Sequence, residues 1–247
     1  MNNIKILFLG VTIIAFAGCS ALQKIDVDKV IGGVEQVLGE DGLSNTDVIA
    51  GLKEALSLGA TNAVKKVNVA DGFLKNELIK IALPKEAQKV ADVLTKNLGP
   101  IGEKVVNDFV VKLNRTAEDA SAKAKPIFIS AVKNITIQDG FSILKGADNE
   151  ATQYLKGKTY NKLVTAFKPN IETSLNKVKL NDAWRKVTNL YNKIPGAKPV
   201  EVDLAQYTTD QATAGLFKLI EVEEKKIRKD PAARVNGILK KVFSTLD

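Results

Sequence analysis

The sequence predicts an all-α protein, a single multi-helix domain of about eight to ten helices. Three observations predict it. Apolar residues recur at spacings of three and four from Thr46 onward, strand-like alternation is nearly missing, and Pro, Gly, Asn and Asp fall where helices start and stop. With 45% hydrophobic residues in 247, the chain has enough apolar side chains to bury a core of ordinary size.

The elements follow in order. Val48, Ile49, Leu52, Ala55, Leu56, Ala63, Val64 and Val67 trace one face of a first helix, which Gly59 could interrupt. Pro84 opens the next helix and Gly99-Pro100 ends it. A longer helix from Ile101 buries Val105, Phe109, Leu113, Ala117 and Ala120, and Pro126 breaks or restarts it. Thr136 with Asp139 forms a capping box, and Thr159 precedes a helix from Tyr160 to Phe167. Pro169 restarts the chain, and Asn181 precedes a helix from Asp182 to Lys193. Pro195-Gly196-Ala197-Lys198-Pro199 is a loop. Thr209 caps a helix running to Lys229, and Asp230-Pro231 reads as N-cap and first residue of a last helix ending near Phe243. No second linker interrupts this pattern, so one domain is expected.

At the amino terminus, Lys5 precedes an uncharged apolar stretch from Ile6 to Ala17 and then the small residues before Cys19, the order of a secretory signal. The stretch is about a dozen residues, whereas a spanning helix needs roughly 20. Phe16-Ala17-Gly18-Cys19 resembles the lipobox of bacterial lipoproteins, departing from it at Phe16, where Leu is usual. The resemblance implies lipidation of Cys19, with acyl chains such as palmitate, and cleavage before it. The expected division is a signal peptide over 1–18, a lipidated cysteine and tether over 19–26, and the helical domain over 27–247.

Cys19 is the only cysteine, and in an oxidising compartment acylation accounts for an unpaired thiol. Two or more acyl chains hold a protein stably on a membrane, so the membrane is an expected partner through this anchor. Ser20 suits sorting to the outer membrane, with the domain facing the periplasm. The formal net charge of +8 becomes +7 when Lys5 leaves with the signal peptide, and it is dispersed along the chain, as suits contact with anionic lipid or polymer. Nucleic acid is not an expected partner, because no basic run is interleaved with aromatics.

The chain has no histidine, which removes Ser-His-Asp and Cys-His catalysis together with the commonest transition-metal ligand. Carboxylates, Lys, Tyr, Ser and Thr remain, but no spacing singles out a catalytic pair. No catalytic residue, metal site or cofactor is therefore expected. A short internal similarity joins residues 63–73 to residues 131–141, identical at six of eleven positions. It reads as two helix junctions sharing one capping chemistry, with Asn68 or Thr136 accepting from the amide near Asp71 or Asp139, in preference to a duplication.

A set of polar segments carries a second resemblance. They are Asn114-Arg115-Thr116-Ala117-Glu118, Ile143 to Asp148 with Ala151-Thr152-Gln153-Tyr154, Tyr207-Thr208-Thr209 through Gly215-Leu216-Phe217, and Glu223-Glu224, Ile227-Arg228, Asp230-Pro231 and Arg234. In combination they resemble the bacterial family called domain of unknown function 4197, over roughly Leu52 to Phe243. The resemblance implies an envelope location and a helical fold, and it carries no catalytic residue across.

These positions form a candidate polar network of Asn114, Arg115, Glu118, Asp148, Thr152, Tyr154, Tyr207, Glu223, Glu224, Arg228 and Arg234. Helical geometry places Asn114, Arg115 and Glu118 away from the Phe109 and Leu113 stripe, on a solvated face or one turned toward another element, the solvated face being the default. Asp148, Thr152 and Tyr154 surround a helix start, where they read as capping groups. Glu223 falls in the stripe of Leu216, Ile220 and Ile227, an acid at a core position. It should meet a cation or donors from another helix, with Arg115 and Arg234 as the candidate cations and Tyr207 and Tyr154 as neutral donors. Glu224 lies on the flank, four residues before Arg228, as in an ordinary surface pair. On this reading Glu223→Ala destabilises by more than about 2 kcal/mol and Glu224→Ala barely matters.

Two classes of function fit. The first is a non-enzymatic binding or structural domain for an envelope partner or an apolar, lipid-like ligand. The second is a hydrolase using carboxylates and arginine on an envelope substrate.

Overall fold

The computed structural model describes residues 42–247. The expected signal peptide, Cys19, the expected tether and the first part of the expected domain lie outside the described residues. Among those described there are nine α-helices, two short 3-10 turns and no β-strand. The helices are α1 (Asn45–Val67), α2 (Lys85–Leu98), α3 (Pro100–Ser121), α4 (Ala124–Asn134), α5 (Gly140–Leu144), α6 (Glu150–Val178), α7 (Leu180–Tyr191), α8 (Leu204–Lys229) and α9 (Gly237–Phe243).

Four of the helices start at a residue whose side chain satisfies a free amide. Ser44 and Asp47 form a reciprocal capping box at α1, Asp139 caps α5, Asp203 caps α8 and Asn236 caps α9. Several expectations are corrected here. Thr136 takes no part in capping α5, and Thr209 lies inside α8, five residues beyond its first residue, donating to the carbonyl of Ala205. Asp230 caps only the 3-10 turn Pro231–Ala233, and the last helix begins again at Gly237. Thr159 and Pro169 both lie inside the single long helix α6. Pro169 is exposed, and the buried stripe of Leu163, Phe167, Ile171 and Leu175 runs unbroken past it. Burial of that stripe holds a helix that the missing proline amide would otherwise weaken by about 3 kcal/mol.

The helices share one hydrophobic core. α8 is at its centre, packed along α1 on one side and α6 on the other, while α4 bridges α1 and α6 and α9 covers α1. α2, α3 and α7 pack on one another, and α3 joins them to α6. Gly59 is buried and does not interrupt α1. A Cβ there would stand 3.3 Å from Ile220 of α8, so the glycine sets how closely α1 and α8 approach.

Residues 68–84 run between α1 and α2 without a helix, yet bury Phe73, Ile79 and Ile81. This corrects the shared-junction reading of 63–73 and 131–141. Both copies end a helix, but only the second leads into another one, and Asn68 caps no helix start. In the first copy Asp71 turns the chain with φ +70°.

Candidate functional site

The most deeply buried charged pair is Glu224 with Arg228 on α8, 1% and 5% exposed. The Glu224 carboxylate accepts from the Ala151 amide at 3.0 Å, the Thr152 amide at 2.8 Å, the Thr152 hydroxyl at 2.6 Å and Arg228 Nε at 2.9 Å. Four bonds fill the acceptor capacity of a carboxylate. Arg228 also donates to the carbonyls of Leu144 at 2.6 Å and Ile143 at 3.0 Å. One buried pair thus places an anion on the amino end of α6 and a cation on the carboxyl end of α5, each where the helix dipole favours it.

The surface-pair reading of Glu224 and Arg228 is therefore corrected. Their flank of α8 faces the α5–α6 junction, which helical periodicity within α8 cannot reveal. The capping reading of Asp148, Thr152 and Tyr154 is corrected as well. No side chain next to α6 caps it; Glu224 does so from 72 residues away, with Thr152 as a further donor. Asp148 instead pairs with Lys229 at 2.7 Å, and the Tyr154 hydroxyl donates to the carbonyl of Thr136 at 2.8 Å.

The α3 cluster is turned inward, against the default of a solvated face. Asn114 is fully buried and exchanges two 2.9 Å hydrogen bonds with the backbone of Ile81, the pairing a neighbouring strand would offer. Glu118 accepts from the amides of Phe73 at 3.0 Å and Leu74 at 3.1 Å, and from Arg115 at 2.5 Å. Arg115 reaches on to Asp71 at 2.5 Å. Hydrogen bonds from Lys75 and Arg115 hold the Asp71 carboxyl below its ordinary range, and Glu118 with Asp71 raises the Arg115 guanidinium. Together these groups satisfy the buried backbone of a segment that has no helix to do so.

Glu223 is 8% exposed and meets donors from another helix. They are Lys66 at 2.5 Å and Asn62 at 2.8 Å on α1, with Lys226 at 3.3 Å on its own helix. Arg115 and Arg234 are corrected as its partners, and so are Tyr207 and Tyr154. Arg234 forms a two-pronged bond to Asp247 at 2.6 Å and donates to the last carbonyls of α8, those of Ile227 and Arg228. The Tyr207 hydroxyl donates to the Ala82 carbonyl at 2.9 Å. Burial pushes the Glu223 carboxyl up, but bonds from Lys66 and Asn62 outweigh it and leave the group below its ordinary value.

The eleven polar positions thus divide into separate clusters, most of them tied to a helix end or an irregular segment, while Glu223 joins side chains of α1 and α8. Asn62, Lys66, Asp71 and Asp247 complete them and were missed from sequence. Asn62 and Lys66 share the i, i+4 spacing of one helical face, a signal that names a face without naming what covers it. Among the described residues no group of His, Cys, Asp and Glu is placed to hold a metal, and no helix is long and apolar enough to cross a membrane.

Two of the grooves on the described surface combine apolar and charged side chains. One, of about 810 Å³, lies between α4 and α6, with Ile127, Ala131, Ile135 and Leu163 in its lining beside Lys158 and Lys162. The other, of about 990 Å³, lies between α3 and α7, where Asp108 and Asp182 accompany Lys112, Arg115 and Arg185.

These features define an all-helical domain whose buried charges hold helix ends. The chain matches the family described as Protein of unknown function (DUF4197) over residues 42–244, and it belongs to that family. No curated protein and no solved structure matches it.

Proposed function

We propose that this is a lipid-anchored envelope lipoprotein whose helical domain is a non-enzymatic binding module, held to the outer membrane through Cys19 and facing the periplasm. The observation that carries the reading is the commitment of the two most buried acids, Glu224 and Glu118, to protein donors. Glu224 has no acceptor position left, and Glu118 is held by two amides and a guanidinium. A general acid or base needs an atom within hydrogen-bond reach of substrate, which these carboxylates do not offer. The signal-like amino terminus and the lone Cys19 support the anchor.

The test is incubation of the purified protein and its Glu118→Gln variant with peptidoglycan, lipopolysaccharide and phospholipid, with products followed by mass spectrometry. No product is expected from either protein. Hydrolysis by the parent that disappears in the folded variant would establish the hydrolase instead.

A further inference from the structure

We propose that the α4/α6 groove binds a single-chain anionic amphiphile, a long-chain carboxylate whose tail lies on the apolar floor and whose head sits between Lys158 and Lys162. The proposal rests on the reading of the domain as a binding module and names its ligand class. Size and charge argue for it together.

The groove's volume of about 810 Å³ is within the roughly 300–1,000 Å³ of small-molecule sites. Three turns of an α-helical peptide, about 16 Å long and about 10 Å across with side chains, would occupy more than that volume. Ile127, Ala131, Ile135 and Leu163 supply aliphatic contact for a tail. The Tyr154 bond to the Thr136 carbonyl ties α6 to the segment after α4 where both line the groove.

Lys158 and Lys162 are the charged residues of the lining, and no acid accompanies them. Four residues apart on α6, they stand about 6 Å apart at Cβ on one face, both exposed. A carboxylate between them would meet two ammonium groups. A neutral amphiphile would leave that attraction unused, and a small anion would leave the apolar floor in water. The α3/α7 groove lacks this arrangement, since Asp108 and Asp182 stand among its basic residues and would oppose an anionic head.

The experiment is calorimetric titration of the full chain with laurate, with monolauroylglycerol and dodecyltrimethylammonium as neutral and cationic counterparts. Saturable one-site binding of laurate is expected, about tenfold or more tighter than the cation. Lys158→Ala with Lys162→Ala should weaken laurate about fivefold or more, leaving the melting temperature and monolauroylglycerol binding unchanged. Ala131→Phe, which fills the floor, should remove binding of both. Laurate affinity equal in parent and lysine variant, or no saturable binding at millimolar laurate, overturns the proposal. Such a failure in a protein that releases no product from envelope polymers removes the groove ligand alone, whereas product release removes the binding-module reading as well.

Discussion

Glu223 and Glu224 are adjacent in sequence and differ in what their loss leaves behind. Removing the Glu224 side chain strands Arg228, 5% exposed, and uncovers two amides at the start of α6. An uncompensated charge at such depth costs about 3–5 kcal/mol. Removing Glu223 leaves Lys66 and Lys226, both about half exposed, free to reach water, so a cost of about 1 kcal/mol is expected. Urea unfolding should therefore rank Glu224→Ala well above Glu223→Ala, the reverse of the order expected from sequence. Glu223 also gives a pH signature. Its carboxyl titrates below the ordinary value in the fold, so its contribution is complete above the unfolded value of about 4.3 and fades as pH falls through the lower folded value. The stability gap between the parent and Glu223→Gln should stay level from pH 7 to 5 and narrow toward pH 3. A gap that widens in acid would contradict the assigned partners.

At the scale of elements, the helices are joined by side chains that cap one another's ends. Glu224 serves the start of α6, Arg228 the end of α5, Lys112 the end of α6 and Arg234 the end of α8. Acids sit at amino ends and bases at carboxyl ends, as the helix dipole favours. Close packing then depends on small residues where elements cross. A Cβ at Gly51 of α1 would lie 2.7 Å from a methyl of Val242 on α9, and Val242 is fully buried. Gly51→Ala should destabilise by about 1–3 kcal/mol through overpacking, although alanine is otherwise the better helix former by about 1 kcal/mol. In a double-mutant cycle, Val242→Ala should cost less in the Gly51→Ala background than alone. Strict additivity would mean that the two helices do not meet there.

At the scale of the whole molecule, the basic balance, +7 once Lys5 is removed with the first 18 residues, and the proposed anchor act in the same direction, since both draw the domain toward an anionic membrane. In a detergent phase separation, the protein carrying Cys19 should partition with detergent and show the added mass of acyl chains. Cys19→Ser should remain aqueous, or keep its first 18 residues. An unmodified parent in the aqueous phase would exclude the anchor.

Helical class was legible in the sequence because burial of one face imposes a period of 3.6 residues on any helix, whatever it packs against. The same periodicity marked Glu223 as a core acid, and the polar segments from Asn114 to Arg234 marked the family. What only tertiary structure decided is which second face each helix buries. Asn114, Glu118, Glu224 and Arg228 look like surface residues on their own helices. They are buried because residues 68–84 and the α5–α6 junction, 33 to 85 positions away, present unsatisfied backbone groups to them. Periodicity reports the angle of a side chain about its own axis, and the partner that fills that angle is set by how the helices dock.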